Sequence, residues 1–301
     1  MATQQDVLEI VTDFMLNAPP GEFLDVVHDI RGLLADETIL NSTALPTFRE
    51  YNTDQMIQVA LPVPDGAEGE QYQVLIAKEG ELAENEYVDH RGNQVLIFDH
   101  FRQQVVGQRP IRPEEINQNA EPMRAALEYS LEEYVAQHYP TGTGAVYCPP
   151  KAGSGDQATY VLCISSGAFQ PHNYWNGRWR SRWELVYPTA DGTLQLTGSV
   201  RLHVHYYEGG NVQMRGECPL QATVAVPTEP QTWEEVTAPI VKAIEKAEAD
   251  FQKNLNESYE TMGDTTFKAL RRILPITRSK IDWTKLQNYK MGNDITEYTM
   301  D

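Results

Sequence analysis

The sequence predicts an α+β protein in which helices flank a central run of antiparallel strands. Three observations carry that assignment. Apolar residues recur at helical spacing through residues 6–16 and 21–35. A period-two alternation runs without a miss from Arg178 to Tyr187 and returns from Leu194 to Tyr206. Beyond Pro230, Val236, Ile240, Ile244, Ala247, Phe251, Leu255, Tyr259 and Met262 recur every three or four positions.

In chain order, the first element is a helical hairpin. Val7, Ile10, Val11 and Phe14 form one stripe, and Phe23, Val26, Val27, Ile30, Leu33 and Leu34 form another, divided by the breaker Ala18-Pro19-Pro20-Gly21. From Met56 to Val106 the texture changes to short β-branched and aromatic runs. One turn, His90-Arg91-Gly92-Asn93, separates Tyr87-Val88 from Val95-Leu96-Ile97-Phe98. The acidic stretch Pro64 to Glu70 reads as an exposed loop. Met123, Leu127, Leu131 and Val135, four apart, predict a helix over roughly Pro122 to His138.

Tyr160 to Ser165 is an apolar run, and Asn176-Gly177 is the pair that a type I′ hairpin turn prefers, since both tolerate positive φ. Past it, Trp179, Ser181, Trp183, Leu185 and Tyr187 alternate with Arg178, Arg180, Arg182 and Glu184, so tryptophans and arginines take opposite faces. Leu194, Leu196, Val200, Leu202, Val204 and Tyr206 continue the meander to a turn at Gly209-Gly210. The long helix has two possible starts. Thr232 with Glu235 makes a capping box but leaves Pro239 inside the helix, whereas Thr237 as cap puts Pro239 in the first turn. The chain thus divides into a helical region 1–55, a mainly β region 56–230 with an inserted helix near 122–138, a long helix 231–263 and an extension 264–301.

The extension reverses the charge of the rest. The chain has 301 residues and a formal net charge of −19, yet between Thr265 and Gly292 Lys268, Arg271, Arg272, Arg278, Lys280, Lys285 and Lys290 face one carboxylate, Asp282. A helix over Thr265 to Leu274 gathers Phe267, Leu270, Ile273 and Leu274 into a stripe about 120° wide, with Lys268 and Arg272 opposite. Pro275 breaks it, and Trp283, Leu286 and Tyr289 share a side of the next run. One face docks and the other presents charge, so an acidic partner surface is expected. The plainer alternative is a terminal helix pair with a solvated basic face.

Composition bounds the remaining classes. No amino-terminal signal peptide and no apolar run of membrane-spanning length is seen. Cys148, Cys163 and Cys218 lack C-x-x-C spacing and read as reduced, buried thiols of a cytoplasmic protein. A pI near 4.7 argues against nucleic acid as a partner, and the arginine row 178–182 is expected instead to pair with carboxylates of overlying helices or of a partner subunit. His203-x-His205 has metal-ligand spacing on one strand face, but no third ligand follows; no metal, cofactor or catalytic residues are expected. Ser165-Ser166-Gly167 lacks the nucleophile elbow, and no phosphate-binding glycine motif occurs.

Several stretches resemble a known family. Phe169-Gln170-Pro171-His172-Asn173-Tyr174-Trp175-Asn176-Gly177-Arg178-Trp179-Arg180-Ser181-Arg182-Trp183 and His205-Tyr206-Tyr207-Glu208-Gly209-Gly210-Asn211-Val212-Gln213 are similar to the two signature motifs of the alpha subunits of F-actin capping protein, the CapZ type. Leu16-Asn17-Ala18-Pro19-Pro20-Gly21-Glu22-Phe23 and Thr265-Thr266-Phe267-Lys268-Ala269-Leu270-Arg271-Arg272 resemble it too, and the likeness runs through about the whole chain. Arg182 departs from the family, standing where an acidic residue is usual.

The resemblance implies a non-enzymatic subunit of an obligate heterodimer. A helical stalk would support an antiparallel sheet completed by the capping protein beta subunit, topped by a long helix from each chain. The extension would bind the barbed end of actin filaments in the cytoplasm and block subunit exchange without calcium. Lys268, Arg272 and Arg278 would make the contact, with Arg271 and Lys280 beside them; Phe267, Leu270, Leu274, Trp283 and Leu286 would dock the extension. Implied regulators are peptide motifs that wrap the stalk and an inhibitor that masks the basic surface. The alternative reading is a structural or adaptor heterodimer subunit that caps an actin-related filament, as a related assembly does in dynactin. The tail beyond Gly292 carries Asp294, Glu297 and Asp301, which can screen the basic island.

Overall fold

The computed structural model describes residues 4–34, 37–63, 67, 69–149, 157–189 and 192–264. Three helices come first, α1 (Gln4–Leu16), α2 (Phe23–Leu34) and α3 (Glu37–Asp54). Their shared core is Val11, Met15, Phe23, Val27, Ile30 and Phe48, each buried. Phe23 stacks flat on Tyr51, centroids 4.0 Å apart, and meets Phe48 edge-on at 5.1 Å. The Tyr51 hydroxyl donates to the Pro19 carbonyl at 3.2 Å, and burial pushes its pKa up to about 12. Helix α3 was not legible in the sequence, because Pro46 lies inside it and its apolar face is diluted by threonine and asparagine.

Hairpin β1 (Ile57–Pro62) with β2 (Gln71–Ile76) follows; within the loop between them Glu70 Oε2 accepts the Ala67 N–H at 3.2 Å, while residues 64–66 and 68 lie outside the described residues. Strands β3 (Glu81–Ala83), β4 (Glu86–Asp89), β5 (Gln94–Asp99) and β6 (Gln104–Pro110) form an antiparallel sheet in that order, with the expected turn at residues 90–93. His100, just past β5, ties this sheet to α3. Asn52 Nδ2 donates to its Nδ1 (3.2 Å) and its carbonyl (2.9 Å), while its Nε2 sits 3.0 Å from the Tyr87 hydroxyl. A second ring proton would face the Asn52 donor. Burial likewise holds the His100 pKa down at about 4.

Helix α4 (Glu121–His138) leads into the central sheet, β7 (Gly142–Tyr147), β8 (Ala158–Gln170), β9 (Trp175–Tyr187), β10 (Thr193–Tyr206) and β11 (Val212–Ala225). All neighbours are antiparallel, in the order β11-β10-β9-β8-β7. The β8–β9 connection corrects the expected Asn176-Gly177 turn. Both residues sit inside β9, paired with Phe169 and Ala168 on one side and His205 and Val204 on the other. The chain reverses at Pro171–Asn173, and Tyr174 takes the positive φ of 57°. Pro171 cannot donate to the ladder and so ends β8, whereas the Asn176 amide is engaged across the sheet by Glu22.

Helices α4 and α5 (Glu234–Asp264) cover one face of this sheet, up to Asp250, with Leu127, Leu131, Trp183, Leu185, Ile240 and Ile244 in the core. From Phe251 onward α5 belongs to a second unit. At 31 residues α5 is about 46 Å long. Its start precedes Thr237: the Trp233 carbonyl accepts from Val236 and Thr237, so Pro239 lies inside and forfeits one helical bond. Glu235 reaches back to the Gln231 N–H (3.1 Å), and Thr237 instead shares a hydrogen bond with Ser130 of α4 (2.9 Å).

Trp183 is fully buried because its cross-strand partner is Gly198, where a Cβ would lie 2.4 Å from the ring. Its Nε1 donates to Glu248 Oε1 at 2.8 Å; Tyr134 donates to Glu248 Oε2 at 2.8 Å, and Tyr139 to the same oxygen. This carboxylate, wholly buried, fixes α5 on the sheet through three neutral donors. The opposite face is covered around Met56, Leu75, Val88, Tyr147, Val161 and Cys163. Of the three thiols only Cys163 is buried, so Cys148 and Cys218 depart from the expectation.

Glu248→Ala orphans three buried donors and should cost about 3 kcal/mol of stability, read by thermal unfolding. The His100 pKa is lower folded than unfolded, so its contribution is whole above pH 6.5 and fades as pH falls from 6.5 toward 4. Thermal midpoints measured from pH 7 to pH 5 should therefore drop, and drop less in His100→Gln, the difference being on the order of 1 kcal/mol.

Candidate functional site

Every side chain expected to bind or dock, namely Lys268, Arg271, Arg272, Arg278 and Lys280 with Phe267, Leu270, Leu274, Trp283 and Leu286, lies outside the described residues, which end at Asp264. The described part holds two other features that bear on function. One is a junction built by the sequence motifs, and the other is an open sheet edge with charge beneath it.

The junction centres on Glu22. Its Oε1 accepts from Asn176 Nδ2 and from His205 Nδ1, both at 2.8 Å, so residues from α2's leading turn, β9 and β10 converge on one oxygen. Gly21 (φ +80°) precedes it, and a Cβ there would meet the Phe169 ring at 2.8 Å. Next to this point Tyr207 N–H donates to the Tyr174 carbonyl (2.8 Å), and the two rings meet edge-on at 5.9 Å. Motifs about 150 residues apart in the chain are thus one place in the fold.

The arginine row lies on the face opposite the tryptophans, as alternation requires. Arg180 Nη1 reaches Asp54 Oδ2 at 2.7 Å at the end of α3, and Arg182 sits between Glu79 (2.6 Å) and Glu184 (3.0 Å). The expected pairing with carboxylates of overlying elements therefore holds for these two. Arg178 differs. It donates to the Gln55 carbonyl at 3.2 Å and lies 5.4 Å from the Phe169 ring centre, and burial lowers its pKa to about 10.

Asp54 is shared, since its Oδ1 takes Arg201 Nη1 at 2.7 Å, and Arg201 Nε continues to Glu217 of β11 at 3.0 Å. Beside them Arg215 of β11 donates to the Asn17 carbonyl (2.7 Å) and side chain and to Gln213 Oε1 (3.0 Å). A cleft of about 500 Å³ under β9 and β10 and another of about 470 Å³ under β10 and β11 share Leu16, Asp54, Arg180 and Arg201 in their walls. β11 itself pairs with β10 alone, so among the described residues its outer backbone groups face no strand. From Gln213 to Thr223 its side chains alternate between exposed and half-buried, and Val224 is buried.

The adjacent histidines of β10 go to separate partners. His205 binds Glu22, and His203 Nε2 lies 3.2 Å from Gln213 Oε1 and 3.3 Å from Arg215 Nε. Burial, with the Arg215 cation adding, holds the His203 pKa down at about 4. Among the described residues no three His, Cys, Asp or Glu side chains are arranged to hold a metal. No described helix is long and apolar enough to cross a membrane.

The sequence model of the F-actin capping protein alpha subunit matches residues 11–294. The chain belongs to that family. It is 42% identical over 298 residues to the alpha subunit of Dictyostelium discoideum, covering 99% of this chain and 100% of that one. The Caenorhabditis elegans alpha subunit is 35% identical, with 96% of each chain covered, and that of Arabidopsis thaliana 33%, with 95% and 91% covered. Among solved structures, a homodimeric actin capping protein alpha subunit from Plasmodium berghei superposes with a TM-score of 0.71 at 21% identity, covering 92% of this chain and 100% of that one, a likeness of fold. The mixed helical and antiparallel architecture is that of a capping protein alpha subunit.

Sequence reasoning missed Glu22 and Asp54 as organising residues. Glu22 stood inside a quoted motif, but nothing in its spacing names acceptor partners on two distant strands. In Glu22→Ala, Asn176 and His205 lose a shared acceptor at a buried junction; unfolding should shift by about 2 kcal/mol, with Glu22→Gln retaining part of it, as followed by chemical denaturation.

Proposed function

We propose that this chain is the alpha subunit of a heterodimer with a capping protein beta subunit, that the heterodimer binds actin filament barbed ends without calcium, and that it blocks subunit gain and loss there. The observation that carries this is family membership across residues 11–294 in an acidic chain whose extension holds the basic island 265–292. Lys268, Arg272 and Arg278, with Arg271 and Lys280 beside them, supply the cations for an acidic filament end, and Phe267, Leu270, Leu274, Trp283 and Leu286 seat the extension. Such an assembly works in the cytoplasm as part of the actin cytoskeleton.

The open edge of β11 supports a partner that continues the sheet. Exposed Ile10 and Phe14 on α1 and Leu24 and Leu33 on α2 support a second chain beside the helical region 1–55, which acts as the stalk. That stalk and the basic surface are the places where wrapping peptides and a masking inhibitor would act. A second copy of this chain is the other reading for the edge, favoured by the homodimeric Plasmodium berghei relative.

Seeded actin elongation with the co-expressed heterodimer tests the proposal. Lys268→Ala with Arg272→Ala should weaken capping about tenfold or more, mainly through slower encounter, with assembly intact. Undiminished inhibition by that variant removes these residues from the mechanism.

A further inference from the structure

In a chain of net charge −19, the cleft under β10 and β11 is lined by three arginines, Arg180, Arg201 and Arg215, and by two carboxylates, Asp54 and Glu217. Arg180 and Arg201 take Asp54, Arg201 also takes Glu217, and Glu22 is taken up by Asn176 and His205. Asp54 serves two guanidiniums at once, and the Nε of Arg180, a residue only 7% exposed, has no hydrogen-bond partner. Arg215 is bound to neutral groups only, and among the described residues it forms no ion pair. It lines the cleft of about 470 Å³ together with Arg180, Arg201, His203 and Glu217.

We propose that this cleft is completed by a carboxylate side chain of the polypeptide that adds to β11, held by Arg215 and Arg201. The inference rests on the reading of β11 as the edge that accepts a partner.

Position selects the source. Arg215 and Glu217 belong to β11, so the cleft opens beside the edge where a strand would add, about 4.8 Å away. Side chains directly opposite on the same face of such a pair have Cβ atoms about 5 Å apart, within the reach of a guanidinium. Arg215 is exposed to solvent. An added strand strips that water from one side, and a guanidinium losing water without a counter-charge opposes association. An apolar or cationic residue at that position is therefore rejected and a carboxylate accepted, because Asp54 and Glu217 are already engaged by Arg180 and Arg201. The planar fork of Arg215 suits a two-oxygen acceptor.

The test uses the heterodimer with the beta subunit, following exchange of labelled subunits. Arg215→Glu should speed dissociation about tenfold or more and Arg215→Gln about threefold, while Arg215→Lys, which keeps the charge and loses the fork, falls between Arg215→Gln and the parent at low salt. Asn17→Ala removes the side-chain part of the tie between Arg215 and Asn17, just past α1, keeps the bond to the carbonyl, leaves charge untouched and should leave exchange unchanged. Circular dichroism confirms that each variant is folded. Exchange unaffected by Arg215→Glu overturns the proposal, as does an Asn17→Ala effect as large as that of Arg215→Gln. Hydrogen exchange at β11 separates the two levels: amides protected on assembly, with exchange indifferent to Arg215→Glu, sink the cleft alone. Unprotected β11 amides sink the edge reading and the cleft with it.

Discussion

The central sheet is buried on both faces through β8 and β9 but ends in a fourteen-residue strand, β11, that among the described residues has a neighbour on one side only. Everything else is arranged around that asymmetry. Backbone donors and acceptors on an unpaired edge stay in water or find another strand, and a long regular edge is a site of association unless it is blunted. Towards β7 the sheet closes on its own chain through α4 and the β1–β2 hairpin; towards β11 it does not. The half-buried residues of β11 on the helix side, Leu220 and Ala222, lie at the margin of the core that α5 covers.

A sheet with both faces covered has no room for unneutralised charge, yet β9 carries three arginines at period two. The fold resolves this for two of them by bringing carboxylates from α3 and the turn before β3, so that Arg180 meets Asp54 and Arg182 meets Glu79, while Arg178 takes the Gln55 carbonyl and the Phe169 ring. Such pairs add little net stability, because desolvation offsets most of the attraction, but they fix which face α3 covers. Arg182 is neutralised by two acids, Glu79 and Glu184. The basic island of the extension is of another kind, since within its own sequence it has a single carboxylate to meet.

Where the sequence misled, a local preference lost to a longer-range demand. Asn176-Gly177 is the best hairpin turn in the chain by propensity, but the Asn176 amide and the strand around it are held by Glu22, His205 and Phe169, and the reversal moved to Pro171, which cannot extend a ladder. Helix α3 was hidden for the opposite reason. Its periodicity is poor, and it is held by single residues, Phe48 and Tyr51 against Phe23 and Asn52 against His100, whose partners are not its neighbours in sequence.

The sequence by itself determined the α+β class, the alternation that sends Trp183 and Arg182 to opposite faces, the long helix α5, the family, and the charge contrast between body and extension. These are properties of neighbouring residues, or of composition, and need no knowledge of what lies across the sheet. Only the tertiary structure decided that, among the described residues, β11 is the unpaired edge and Arg215 is left without a carboxylate, that Glu22 joins two motifs, and that Glu248 anchors α5. Each of those depends on which strand lies beside which, and strand order is set by packing and loop closure over the whole chain, to which no local pattern is sensitive.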